Sequence, residues 1–148
     1  MRKIFLLIVA LLATAGIVSA KDKVIEPSQL PELAQKVLNA YFTNDGVAYV
    51  KMESGFFENT EYDVRLASGT EIDFDQAGNW IKVDCGTRRV PDEMLPDAVK
   101  AYVRDRGAGA YVTEIERSLN GKCEIELSDG IEVKFNADGN VAKIETRH

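Results

Sequence analysis

The chain is poor in the side chains that most chemistry needs. Its one histidine, His148, is the last of 148 residues. Chain ends fray, so Ser-His-Asp and Cys-His schemes and histidine-held metals have no anchored base or ligand. No glycine-rich phosphate loop precedes a predicted helix. Carboxylates are plentiful, but the sequence offers no apolar pocket of the kind that raises one pKa for acid–base work. These absences point away from an enzyme, and no cofactor or metal is expected.

Positive charge is also scarce, with 18 Lys+Arg against 24 Asp+Glu and a formal net charge of −6. Such a balance repels nucleic acid and anionic lipid and steers a basic partner inward. Long hydrophobic runs are missing too. The only one, Ile4 to Leu12, is too short for a good membrane span and is soon followed by Lys21-Asp22-Lys23. With Arg2 and Lys3 before it and Val18-Ser19-Ala20 after it, the run reads as the core of a secretory signal over residues 1–20. No cysteine follows closely enough for a lipid anchor. The mature chain is therefore expected to start near Lys21, to be periplasmic or secreted, and to lack a stable membrane span. Losing Arg2 and Lys3 takes its charge to −8.

There are two cysteines, Cys85 and Cys123. An oxidising compartment invites one disulfide between them, but spacing alone does not decide between a bridge and two thiols.

What the sequence does contain, it contains twice. Leu30-Pro31, Tyr49-Val50, Leu66, Gly69, Ile72, Phe74 and Gly78 are echoed by Leu95-Pro96, Tyr111-Val112, Leu127, Gly130, Val133, Phe135 and Gly139. The offset falls from 65 to 62 to 61 residues along the chain, so the copies differ by small deletions where loops belong. In each copy a proline sits in the first turn of a predicted helix, with Ser28 or Asp92 upstream as a candidate cap. Leu33, Ala34, Val37, Leu38 and Tyr41 then recur at helical spacing, as do Leu95, Ala98, Val99, Tyr102 and Val103. The rest alternates with period two, as in Tyr62-Asp63-Val64-Arg65-Leu66, with hairpin turns at Ser68-Gly69, Ala77-Gly78-Asn79 and their counterparts. The reading is an α+β protein: residues 21–86 and 87–148 form two tandem units. Each is one helix followed by a four-stranded antiparallel meander, with helices on one face of the sheet and the other face open.

These landmarks resemble the PepSY-like, β-lactamase-inhibitor-like family of secreted bacterial proteins. The resemblance rests on Leu-Pro before the helix, Tyr62 to Leu66, Gly69, Ile72-Asp73-Phe74-Asp75 and Gly78-Asn79-Trp80, and on the second set ending at Gly139-Asn140. It implies a tandem α+β fold with an open sheet face. In better-understood relatives such a face blocks an enzyme, and PepSY modules are associated with peptidase propeptides and envelope proteins. The second copy departs at Cys123, where the first has Tyr62, and at Val141, where the first has Trp80.

Strand parity nominates the open face as the site. If Val64, Phe74 and Ile81 turn toward the helices, then Asp63, Arg65, Glu71, Asp73, Asp75, Trp80, Lys82 and Asp84 turn away, with Tyr49 near Trp80. In the second copy Glu124, Glu126, Glu132, Lys134, Lys143 and Glu145 share that face. For the charges alone, a solvated sheet surface is the better account. An outward indole favours recognition, because tryptophan is enriched at binding hot spots; a one-residue slip in phase would bury it. Phe56-Phe57, in the first hairpin, is a second exposed-aromatic candidate. Asp73 to Asn79 looks superficially like a calcium loop but lacks the later bidentate glutamate, and turn-forming residues explain it without a metal. The expected function is a non-enzymatic protein-binding module that inhibits or regulates a peptidase or cell-wall enzyme. Its partner would be another envelope or secreted protein. The alternative is an envelope protein that binds a small ligand or a cation.

Overall fold

The computed structural model describes residues 22–54, 60–107 and 109–147. The expected leader over residues 1–20, Phe56-Phe57 and His148 lie outside them. The described strands are β1 (Asp22–Ile25), β2 (Val47–Glu53), β3 (Glu61–Leu66), β4 (Glu71–Phe74), β5 (Trp80–Asp84), β6 (Val112–Arg117), β7 (Cys123–Leu127), β8 (Ile131–Phe135) and β9 (Val141–Thr146). Helix α1 (Glu32–Tyr41) lies between β1 and β2, and α2 (Asp97–Arg106) between β5 and β6.

All nine strands form one antiparallel sheet in chain order. This corrects the expectation of two helix-plus-four-strand units. Strand β5 pairs directly with β6 through Lys82 with Glu116, Val83 with Ile115 and Asp84 with Glu114, so no sheet edge separates the halves at residues 86–87. A further strand, β1, which period-two reading missed in a four-residue segment, pairs with β2. The fold is mostly sheet, with two helices among the described residues. Joining β5 to β6 satisfies backbone groups that two separate sheets would each leave exposed along an edge.

One row of side chains crosses the whole sheet in register: Ile25, Val50, Val64, Ile72, Val83, Ile115, Ile125, Val133 and Ile144. Its members from Val50 to Val133 are sealed from solvent. They share a core with Leu30 and Ala34 at α1 and with Leu95 and Val99 at α2, so both helices cover the same face. The row ends on β9 at Ile144, which is 53 % exposed, beyond the cover of the helices.

The helices are started by prolines rather than by side-chain caps. Pro31 and Pro96 occupy the cap positions, and Glu32 and Asp97 place acids in the first turn, where the helix dipole favours them. Ser28 and Asp92 belong instead to short 3-10 turns at Pro27–Gln29 and Asp92–Met94. The turn between β4 and β5 fits beneath α1 only because Gly78 has no side chain. At φ +92° a Cβ there would lie 2.8 Å from Pro31 Cβ and 2.9 Å from the Ala34 nitrogen.

Four one-residue bulges interrupt the alternation. The register shifts leave Ala48 in β2, Ile81 in β5, Thr113 in β6 and Ala142 in β9 without a partner. A bulge adds a residue to one strand and reverses side-chain phase beyond it. Trp80 therefore stands opposite Phe74 on the helix side, and Ile81 is half-buried rather than core.

Candidate functional site

The open face consists of two rows, each built by the register of the sheet. The first runs Lys51, Asp63, Asp73, Lys82, Glu116, Glu124, Lys134, Lys143 from β2 to β9. The second runs Tyr49, Arg65, Glu71, Asp84, Glu114, Glu126, Glu132, Glu145. From β4 to β9 every strand places a carboxylate in this second row. Neighbouring strands are about 4.8 Å apart, so these groups form a ladder on a rigid support.

The ladder is braced from its ends and from the adjoining row. Arg65 pairs with Glu71, and Lys82 with Glu114 at 3.3 Å. Near the chain end Arg147 pairs with Glu126 and lies 3.6 Å from Glu132, while Lys134 lies 3.8 Å from Glu145. Across both rows ten carboxylates face five cations, so the field over the face stays negative. Burial raises the pKa of Glu114 despite the nearby Lys82.

Asp63 and Asp73 are direct cross-strand partners between Lys51 and Lys82. Burial, then the charge of Asp73 and Glu53, pushes Asp63 up to about 8 against the pull of Lys51 at 3.9 Å. Burial likewise raises Asp73 to about 6, opposed by Lys82. Two like charges this close share a proton near neutral pH. The sequence offered no pocket for such a shift; the pairing of two strands supplies it. Among the described residues no group of three or more His, Cys, Asp or Glu side chains converges to hold a metal ion.

Of the residues nominated from sequence, the sheet brings Tyr49, Asp63, Arg65, Glu71, Asp73 and Lys82 together on one face. Trp80 is a correction. The bulge at Ile81 turns its indole inward, 6 % exposed, where the Arg117 guanidinium lies 3.6 Å over the ring. It is thus on the opposite side of the sheet from Tyr49. Asp75 is a second correction. It sits in the β4–β5 turn, where its carboxylate accepts hydrogen bonds from the Ala77 and Asn79 backbone amides at 3.0 and 2.8 Å and from the Asn79 side chain at 3.2 Å.

The question of a disulfide, open from the sequence, is answered against a bridge, since Cys85 and Cys123 are free and buried. Cys85 donates its backbone amide to Thr113 at one end of β6, and Cys123 faces Arg117 at the other. Those positions are about 13 Å apart at ~3.3 Å per residue, too far for a bridge. Burial pushes the Cys123 thiol up to about 11 and raises Cys85 as well, which keeps both protonated and unreactive.

Sequence reasoning missed Lys51, Glu114 and Glu116 on the open face and Arg117 on the covered one. The stretch Glu114-Ile115-Glu116-Arg117 does alternate, but the bulge at Thr113 hides where the alternation begins.

Comparison with known proteins matches this architecture. The family model described as "Putative beta-lactamase-inhibitor-like, PepSY-like" matches residues 60–143, more than half of the chain. The chain belongs to this family. A solved structure from Bacteroides vulgatus, described as a putative periplasmic protein from the DUF2874 family, is 36 % identical. Its TM-score is 0.81, with 87 % of this chain and 100 % of that one covered. A second, from Bacteroides thetaiotaomicron, is described as a putative calcium-regulated periplasmic protein. It is 37 % identical, with a TM-score of 0.80 over 84 % of this chain and 97 % of that one. A third, a B. vulgatus periplasmic protein described as of unknown function, is 34 % identical with a TM-score of 0.78, covering 84 % and 98 %. No curated protein matches the chain. The description of all three as putative periplasmic proteins agrees with the location expected from the sequence. Among the described residues no helix is long and apolar enough to cross a membrane.

Proposed function

We propose that this PepSY-like protein is a non-enzymatic periplasmic binding module whose open sheet face docks a basic surface of another envelope or secreted protein. Docking would inhibit or regulate that partner, a peptidase or cell-wall enzyme being the class in view. The observation that carries the reading is the unbroken carboxylate ladder from Glu71 to Glu145. A sheet fixes side-chain spacing better than a loop, so such a row presents charge at set intervals with little entropy left to lose on binding. The family description as inhibitor-like supports the same direction.

Immobilised protein exposed to envelope extract should retain a partner at low salt and release it as salt rises, because exposed charge pairs are screened. Combining Glu114→Gln, Glu126→Gln and Glu132→Gln should abolish retention while the melting temperature holds. Undiminished retention by the triple variant would remove the ladder from the account.

A second reading, cation binding, is favoured by the Asp63–Asp73 pair and by the description of one relative as calcium-regulated. It predicts that millimolar calcium raises the melting temperature, since a ligand held only by the folded state stabilises it. A melting curve unmoved by calcium discards this reading and leaves the docking face.

A further inference from the structure

On the side of the sheet away from the carboxylate rows, α1 and α2 leave a valley between them. Trp80 forms part of its floor, and two hollows of about 430 and 290 Å³ open there, sharing Asn79, Trp80 and Arg117. One is walled by Leu33, Val37 and Tyr41 of α1. The other is walled by Pro96 at the start of α2 and by Leu119 in the β6–β7 turn. Leu119 is 84 % exposed and Leu33 48 %. Apolar side chains left in water around a concave site mark a place for a ligand.

Arg117 gives the valley its chemistry. It projects from the helix-side phase of β6, stacks on the Trp80 indole, and donates from Nε to the Trp80 carbonyl oxygen at 2.7 Å. Those contacts fix the guanidinium, and Asp75, whose charge reaches it, makes no ion pair with it. Among the described residues no carboxylate lies within ion-pair distance of it, although acids outnumber bases in the chain. A half-buried, immobilised guanidinium whose terminal nitrogens make no hydrogen bond among the described residues is suited to a planar carboxylate.

We propose that this valley binds a peptide segment of a partner protein in which a carboxylate adjoins a large apolar side chain. The carboxylate pairs with Arg117, and the apolar side chain fills the hollow between Trp80 and Leu119. A peptide fits better than a fatty acyl chain. The hollows are short, open to solvent and meet at a cation, so an alkyl chain would keep many methylenes in water. A peptide needs to seat only one or two side chains and keeps its backbone hydrated. This site is on the opposite face from the carboxylate ladder, so loss of either leaves the other standing.

Trp80 is the only tryptophan in the chain, so its emission reports on the valley. The probes are a pool of N-acetylated hexapeptides randomised over Leu, Phe, Val, Ser and Asp, a matched pool with Asn for Asp and an amidated end, and laurate. The acidic pool should shift Trp80 emission saturably, and the neutral pool should bind at least about tenfold more weakly, as expected for loss of a charge-assisted pair. Arg117→Gln should weaken the acidic pool by a similar factor. Leu119→Asp, at an exposed turn position, should do the same with an unchanged melting temperature, which guards against a folding defect in the first variant. Equal binding of the two pools, indifference to Leu119→Asp, a response to laurate alone, or no response to any probe would each overturn the proposal.

Discussion

Along the inward side of the sheet the register carries Val50, Val64, Ile72, Val83, Ile115, Ile125 and Val133, all sealed beneath the helices. One residue away, on the outward side of the same strands, it carries Arg65, Glu71, Asp84, Glu114, Glu126 and Glu132. The backbone is common to both, so the contrast isolates what side chains contribute. Inward positions hold the fold by burying apolar area; outward positions hold a charge distribution on half-buried side chains. Stability and surface charge are thereby separated by a single step along a strand.

The sharpest way to test that separation is to damage the inward side. Phe74, with no exposed surface, stacks between strands β3 and β5, and Phe74→Ala should cost about 3–5 kcal/mol in urea unfolding. Gly78→Ala forces both a positive-φ side chain and a clash with Pro31 and the Ala34 backbone, and should cost about 1–3 kcal/mol. Equal losses from outward substitutions would erase the contrast.

The Asp63–Asp73 pair blurs the contrast, because these outward groups are partly buried. Both hold protons more tightly when folded than when unfolded. The folded state therefore binds more protons between pH 3.8 and about 8, and stability falls as pH rises through that window. Lys51 and Lys82 offset part of the repulsion, while Glu53, Glu61 and Glu71 add to it. Melting temperatures recorded across that range should fall with pH in the native protein, and Asp63→Asn should flatten the slope. A slope that the substitution leaves intact would assign the dependence elsewhere.

Smaller effects belong to the ladder itself. Glu126→Gln should move stability by less than about 0.5 kcal/mol, since its partner Arg147 is largely exposed. Smallest of all is the effect of reductant. With both thiols free, the melting temperature should be the same with and without it. A drop would mean that a bridge forms in solution.

Much of the helix placement and strand alternation was legible because proline, glycine and period-two patterning act locally. The Leu-Pro pairs marked both helix starts, and Val64 and Phe74 were placed inward correctly. What local signals cannot carry is where alternation breaks. Ile81 reads as an ordinary apolar strand residue, yet as a bulge it shifts Trp80 to the other face, a choice set by packing against Phe74 and Arg117. The β5–β6 junction was equally hidden, because pairing between distant strands leaves no mark on either alone. On the open face, Asp63, Arg65, Glu71, Asp73 and Lys82 were legible as outward, whereas their assembly with Glu114 and Glu116 into rows depended on that junction.

The most direct measurement is zero-length carboxyl-to-amine cross-linking of the protein in envelope extract, with the linked residues mapped by mass spectrometry. The account predicts partner lysines joined to Glu71, Asp84, Glu114, Glu126, Glu132 and Glu145. Links confined to Glu32, Glu93, Asp97 and Asp105, on and beside the helices, would contradict it.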